Sequence, residues 1–371
     1  MAEALAARGY SVSVLTTGTI GSEMVIDMVN GLTIYRVGLK NSYWHYEKPR
    51  GRLKRLLWHL RDIYNWGMKQ DVEKVVEKEK PDIVICHNMA GFSVSAWDVL
   101  KRHSLPIIEV LHDQYMRCPN SNASKRGIPC KGQCIVCRMM RIPHRWMSAR
   151  VDAVVGVSYF VLNSLTALGY FGKSRQYVIH NARSIAEPVS YLKWNGKEPL
   201  RIGYIGTLSK VKGVEWLIRS FIKMDINATL IIAGRGATPE YEQYLKELAS
   251  SDSRIHFSGY AKSSEHYAQV HLSVIPSLWP DTFPTVAFES CAYHVPVIAT
   301  NLGGLPEIIN NAVNGLIVDI SAPNSLQNAI LRLYNDRLLL CSMAENARDA
   351  VKEMIDVKGW IDKYVEIIEK V

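Results

Sequence analysis

The 371-residue chain has no apolar run long enough to cross a bilayer. VDAVVGVSYFVL (151–162) and VPVIAT (295–300) stop well short of the roughly 20 residues that a spanning helix needs. The N-terminus, MAEALAARGYSVSVLTT, lacks the basic start, long apolar centre and small-residue cleavage site of an export signal, so the expected location is the cytoplasm. A paired cysteine set is missing as well. Seven cysteines, an odd number, in a chain expected to meet a reducing compartment argue against a disulfide framework. There is no low-complexity tract and no internal repeat beyond an alternation of element types. What is present, 48% hydrophobic and 21% charged residues, is the composition of a globular protein with length for about two domains.

Acidic residues are scarce in the first half. Up to Arg183 there are 26 Lys and Arg against 14 Asp and Glu, whereas the remainder carries 18 against 21. The net charge of +9 therefore sits on the N-terminal half, which should face something anionic: a membrane surface, a phosphorylated substrate or nucleic acid. Nucleic acid is disfavoured, because no aromatic-interleaved sheet or recognition helix accompanies the charge.

Short β-branched runs alternate with helical patterns. SVSVLTT, DIVICHN (82–88), PIIEVLHD (106–113) and AVVGVS (153–158) are separated by helices near 68–79 and 92–103. LRIGYIG (200–206), ATLIIAG (228–234), IHFSGY (255–260), LSVIPS (272–277) and PVIAT (296–300) repeat the rhythm, with helices near 213–223 and 239–249. Alternation of this kind means βαβ units and parallel sheets. The expected fold class is α/β, with two Rossmann-like domains whose parallel sheets face across a cleft: residues 1–183, residues 184–352, and a C-terminal helix in 353–371 packing back toward the first domain. That helix carries Trp360, Ile361, Tyr364, Val365, Ile367 and Ile368 as one apolar stripe.

Ligands in such sheets bind beyond the carboxyl ends of the strands. IGTLSKVKG (205–213) puts Gly206, Lys210 and Lys212 between a strand and a helix N-terminus, which suits a diphosphate; a plain solvated loop is the other reading. IIAGRG (231–236) and HFSGY (256–260) end two further strands, with Arg235, Gly259 and Tyr260 at their tips. DTFPTVAFES (281–290) adds two carboxylates, Asp281 and Glu289, eight positions apart. Together these could ring a nucleoside diphosphate sugar: base near Ser258 to Tyr260, ribose on one acid, phosphates on Lys212, sugar on the other acid. Alternatively, Glu289 caps the helix it begins.

The ordered set GTLSKVKG, IIAGRG, HFSGY and D-x7-E followed by VPVIAT-x2-GG-x2-E resembles the retaining glycosyltransferases of family 4, the glycosyl transferases group 1, of GT-B architecture. HNMAGFS (87–93), LHD (111–113), GVS (156–158) and IHNA (179–182) extend the resemblance over nearly the whole chain. It implies that Glu289 binds ribose, that Asp281 stands where a glutamate contacts the transferred sugar, and that Gly206, Thr207, Lys210, Lys212, Arg235, Gly259, Tyr260, Phe283, Pro284 and Thr285 line the donor site. Gly303-Gly304 would let the backbone approach the donor phosphates. It places His112 beside the reacting sugar carbon; from the residues alone, His112-Asp113 could equally be a satisfied loop pair. The implied reaction is retaining transfer from a nucleoside diphosphate sugar, most often UDP, to a lipid-linked or polysaccharide acceptor, with no cofactor or divalent metal. A soluble sugar-phosphate acceptor and a non-catalytic partner subunit stay open.

Several positions depart from the family pattern. Thr207 stands for an arginine, and His294 for a glycine before VPVIA. The family's opening strand and glycine loop have no counterpart before the helix MAEALAARG, so either residues upstream of Met1 or a poorly stable, inactive 371-residue product is expected. Cys118, Cys130, Cys134 and Cys137 could hold a structural zinc, or be reduced thiols in a loop. Finally, KPRGRLKRLLWHLR (48–61) is basic, without an acid, and carries Leu53, Leu56, Leu57, Leu60 and Tyr64 on one helical face. With RMMRIPHRWMSAR (138–150) it is a candidate for peripheral docking to an anionic inner membrane face; a core helix with a solvated basic side is the alternative.

Overall fold

Apolar β-branched runs form the strands, and the runs buried on both faces lie at the centres of two parallel sheets. The computed structural model describes residues 1–44, 51–125, 128–130 and 132–371; Lys48, Pro49 and Arg50 of the basic run lie outside them. The chain divides into two compact units: residues 1–125, 130–179 and 358–371 in one, residues 126–129 and 180–357 in the other. No helix among the described residues is long and apolar enough to cross a membrane.

In the first unit, strands Val84–His87, Ile107–Leu111, Ala153–Gly156 and Arg175–Val178 pair in that order, all parallel. All five residues of Ile107–Leu111 are buried, as expected of a strand covered on both faces. Helix Trp66–Glu79 starts where the Asn65 side chain accepts the Met68 N–H, and helix Tyr159–Thr166 where Ser158 accepts that of Val161. A separate three-stranded sheet has the order Ser13–Gly18, Leu32–Gly38, Val25–Val29. Its antiparallel hairpin turns at Asn30-Gly31, both with positive φ (49° and 79°). The C-terminal helix Val357–Ile368 buries Ile361, Tyr364 and Ile367, and Arg8 ties it to the first helix through Asp362 (2.5 Å).

The second unit is one six-stranded parallel sheet. From edge to edge its strands are Ile255–Gly259, Ala228–Ala233, Leu200–Ile205, Leu272–Ile275, Val297–Thr300 and Gly315–Val318. The order reverses between Leu200–Ile205, the first strand in sequence, and Leu272–Ile275, the fourth. At such a switch point the helices that follow the two strands lie on opposite faces of the sheet, and the ligand crevice of an open α/β sheet lies there at the carboxyl edge. Helix Val214–Ile222 buries Leu217, Ile218 and Phe221 against the sheet in one continuous core with Ile202, Leu230 and Val274.

Two expectations about helices are corrected. Glu289 does not begin its helix; it is the fifth residue of Thr285–Ala292 and is buried. In helix Arg52–Arg61, it is Trp58 that is buried (4% exposed), its indole N–H donating to the Tyr43 carbonyl, whereas Leu53, Leu56, Leu57 and Leu60 are exposed (45–70%).

Candidate active site

The crevice of the second unit gathers most of the donor residues expected from the sequence. Gly206, Gly234 and Gly259 end three adjacent strands, with Gly206 N–H donating to Ala233 O (3.0 Å) and Gly234 N–H to Gly259 O (2.6 Å). Thr207 and Lys210 are exposed on the loop that follows, Arg235 and Tyr260 on the next two strand ends, with the Arg235 guanidinium 6.0 Å from the Tyr260 ring. A tight 3-10 turn, Lys210–Lys212, then leads through Gly213 into helix Val214–Ile222. Gly213 has φ +71°, and a Cβ there would come within 1.8 Å of the Pro276 carbonyl oxygen, so the loops of the first and fourth strands touch where only glycine fits.

That contact brings Lys212 to the loop carrying the acids. Its Nζ lies 2.6 Å from Asp281 Oδ2. Gly303 and Gly304 serve the same loop: Gly303 has φ +62°, a Cβ on it would meet Asp281 O at 2.1 Å, and Gly304 N–H donates to Asp281 O (2.8 Å). Within this structure the glycine pair admits the Asp281-Thr282 backbone. Phe283 is buried and stacks on His180 (centroids 4.9 Å apart), Pro284 precedes helix Thr285–Ala292 without a side-chain capping bond, and Thr285 is exposed at its first position.

Glu289 is 3% exposed and both its carboxylate oxygens are engaged, Oε1 by Arg183 Nη1 at 2.6 Å and Oε2 by Ser263 Oγ at 2.9 Å. A buried carboxylate requires such partners. Neither partner was expected from the sequence. His180, which also pairs with Glu307 (3.0 Å), belongs with them. His294 has φ +61°, the conformation of the glycine it replaces, and is held there by Ala344 O (3.1 Å) and Glu187 (3.1 Å) and by stacking on Tyr191.

In the first unit, His112 and Asp113 leave strand Ile107–Leu111 at its carboxyl end. Burial lowers the His112 pKa and raises that of Asp113, whose Oδ1 accepts the Tyr115 N–H (2.7 Å). His112 Nε2 lies 2.8 Å from His87 Nδ1. Beside this loop is a buried polar network absent from the sequence reading. Asp62 accepts from the Tyr115 hydroxyl (2.8 Å) and the Gly91 N–H (2.7 Å), and burial pushes its pKa up to about 6. Arg141 stands 3.6 Å from Asp62, over the Tyr115 ring, and 2.6 Å from His144 Nε2. Arg141 and His144 come from the second basic stretch but are fully buried. They are therefore withdrawn from any membrane face.

Of the four cysteines, the Cys137 thiol is hydrogen-bonded to Cys134 and Cys118, and burial first, then those contacts, push it up to about 12. Cys134 caps helix Ile135–Met140 through the Cys137 N–H and is lowered by it. Among the described residues no group of three or more His, Cys, Asp or Glu is arranged to hold a metal ion.

Comparison with known proteins bears on both units. The family model for a glycosyl transferase 4-like domain matches residues 1–182, and the model for glycosyl transferases group 1 matches residues 199–336. An uncharacterized 42.6 kDa protein in the cps region of Klebsiella pneumoniae is 27% identical over 310 residues, covering 83% of this chain and 81% of its own. The uncharacterized glycosyltransferase MJ1607 of Methanocaldococcus jannaschii is 26% identical, covering 95% and 88%. Among solved structures, sucrose-phosphate synthase from Thermosynechococcus elongatus superposes with a TM-score of 0.75 at 18% identity, over 100% of this chain and 91% of its own. Anabaena HepE in complex with UDP-glucose superposes with a TM-score of 0.68 at 16% identity, over 97% and 100%. With both halves matched in chain order, and a doubly wound sheet whose switch-point crevice holds Lys212 and Asp281, the chain belongs to the group 1 glycosyl transferases of family 4 and has their GT-B fold.

Proposed function

We propose that this glycosyltransferase moves a sugar from a UDP-sugar to a lipid-linked or polysaccharide acceptor, with retention at the anomeric carbon. The observation that carries the donor half is the pairing of Lys212 with Asp281 at the switch point of the sheet, ahead of the N-terminus of helix Val214–Ile222. An N-terminal helix end and a cation together favour a diphosphate. The HepE structures with UDP and with UDP-glucose support uridine as the base.

In this reading Glu289 exchanges Arg183 for the ribose hydroxyls, and Asp281 takes a sugar hydroxyl. His112, neutral at physiological pH, contacts the transferred sugar. No carboxylate is assigned as a nucleophile, so a covalent glycosyl intermediate is not invoked. The acceptor hydroxyl attacks on the face the diphosphate leaves. A diphosphate oxygen takes the acceptor proton as the C–O bond breaks, while Lys212, Lys210 and the helix dipole stabilise the departing charge.

The acceptor half rests on helix Arg52–Arg61. Four exposed leucines beside Arg52, Lys54, Arg55 and Arg61 form an apolar face with a cationic border, the pattern of a helix lying in an anionic interface. Ile142 and Trp146, on helix Ile142–Ser148, are exposed in the same way. A lipid-linked acceptor would be met at such a surface.

The test is a thermal-shift screen of UDP-, GDP- and ADP-sugars, followed by measurement of nucleoside diphosphate release. A bound donor stabilises by RT ln(1 + [L]/Kd), so a true donor raises the melting temperature with concentration. Failure of all UDP-sugars to stabilise or turn over, with membranes supplied, would overturn the proposal.

A further inference from the structure

Two histidines meet at the carboxyl edge of the first unit's parallel sheet. His87 is the last residue of strand Val84–His87, and His112 directly follows strand Ile107–Leu111. These strands are neighbours, with His87 in register with Val110. His87 Nδ1 and His112 Nε2 are 2.8 Å apart, with ring centroids 5.1 Å apart and planes inclined by 30°. Strand alternation sends Cys86 into the core and turns His87 away from it, with part of the residue open to solvent although neighbouring atoms desolvate its ring, so core packing alone does not account for an imidazole at this position.

Two ring nitrogens at this distance must share a single proton. Two N–H groups would clash there, and two lone pairs would repel. Burial lowers the pKa of both rings, that of His87 to about 4, with the neighbouring His112 adding to the effect. Both are therefore neutral at pH 7, and each carries one N–H. Their tautomers are then coupled. If His87 Nδ1 donates, His112 holds its own proton on Nδ1. If His87 Nδ1 accepts, His112 holds it on Nε2, and its Nδ1 becomes an acceptor.

We propose that His87 is a positioning residue for sugar transfer, its hydrogen bond holding the ring plane of His112 and tying the tautomer in which His112 meets the transferred sugar to that of His87. This rests on the reading of His112 given above. It gives His87, the first residue of the HNMAGFS segment, a purpose in the chemistry.

The experiment uses the full chain labelled with 15N-histidine, as wild type, His87→Phe and His87→Asn, each checked for an unchanged melting temperature. In wild type, ring nitrogen shifts at pH 7 should report one dominant tautomer for His112. In His87→Phe that population should relax toward the mixture of a free imidazole, and in His87→Asn, whose amide reaches roughly the position of Nδ1 and can donate or accept there, the hydrogen bond that holds the ring plane should be restored. UDP release from UDP-glucose supplies the second readout. His87→Phe should lower kcat by about 10- to 100-fold, the scale of a misplaced reacting group. The KM for donor should stay within about 2-fold, because a group acting only in the transition state leaves ground-state binding alone, and the Asn variant should recover most of kcat. An unchanged His112 tautomer in His87→Phe overturns the proposal. A changed tautomer with kcat intact overturns its catalytic part. If His112→Ala transfers as well as wild type, the reading of His112 fails, and this proposal with it, while the tautomer measurement still reports whether the two rings are paired.

Discussion

Lys212 Nζ stands 2.6 Å from Asp281 Oδ2, so the cation expected for the donor phosphates and the acid expected for the donor sugar neutralise each other. Both side chains are about one-third exposed (34% and 28%). An ion pair so accessible to water contributes only about 0–1 kcal/mol. On the proposed reading, a diphosphate, with more charge than a carboxylate, displaces Asp281 at little cost and leaves it turned toward the sugar.

That exchange predicts opposite signs for two substitutions. Lys212→Gln should weaken UDP binding by about 1.5–3 kcal/mol, the range for hydrogen bonds to charged groups. Asp281→Ala should leave UDP affinity unchanged or raise it, by removing a competitor for Lys212, while slowing transfer. Isothermal titration with UDP reads both. If Asp281→Ala weakens UDP as much as Lys212→Gln does, the acid holds the lysine in place and the exchange model is wrong.

Glu289 invites a similar comparison. Glu289→Ala should abolish turnover and weaken UDP by about 1.5–3 kcal/mol, since the lost bonds are to a buried charge. Arg183, whose side chain is 66% exposed, should be dispensable for UDP binding if ribose replaces it. Equal losses of affinity in Arg183→Ala and Glu289→Ala would instead place the ion pair itself in the binding step.

The second unit was the more legible half of the sequence, for a physical reason. Its inner strands are largely buried on both faces and read as unbroken apolar runs: PVIAT became Val297–Thr300, buried throughout, and ATLIIAG became Ala228–Ala233, with only Thr229 and Ile231 half-buried. The hairpin Val25–Val29 with Leu32–Gly38 has a strong turn signal in Asn30-Gly31, but Val25–Val29 is mostly exposed and so lacks the apolar pattern of a buried strand. Amphipathicity showed that residues 52–61 have an apolar stripe but not which face the core would take; tertiary packing chose Trp58. Arg183 and Ser263 lie 106 and 26 residues from Glu289, and no local pattern links them to it. Arg141 read as surface charge because its counter-ion, Asp62, is remote in sequence.

The exposed stripe carries its own prediction. Replacing Arg52, Lys54 and Arg55 by Ser should weaken binding to phosphatidylserine-containing vesicles by about 1 kcal/mol per charge. Replacing Leu53, Leu56, Leu57 and Leu60 by Gln should abolish insertion without lowering the melting temperature, because these side chains are already in water. Vesicle flotation at low salt decides: wild-type protein that does not float removes the membrane from the model, and a large drop in stability of the leucine variant would mean that the stripe is packed in solution.

His271 gives the pH dependence a definite sign. Its Nδ1 accepts the Arg201 N–H at 3.0 Å, so the ring must be unprotonated there. Burial, with Arg201 nearby, lowers its pKa from 6.5 to about 4. The folded form thus binds fewer protons than the unfolded chain below pH 6.5. The stabilisation from this group is fully present above pH 6.5, declines below it, and is lost as pH falls through 4. In His271→Asn, whose side-chain oxygen can accept the same N–H, that share of the pH dependence should vanish. Thermal unfolding of the two proteins between pH 7 and 4 should show wild type losing melting temperature more steeply than the variant. Parallel curves would mean that His271 is protonated in the fold or that its ring is reached by water, and the Arg201 contact would then need another account.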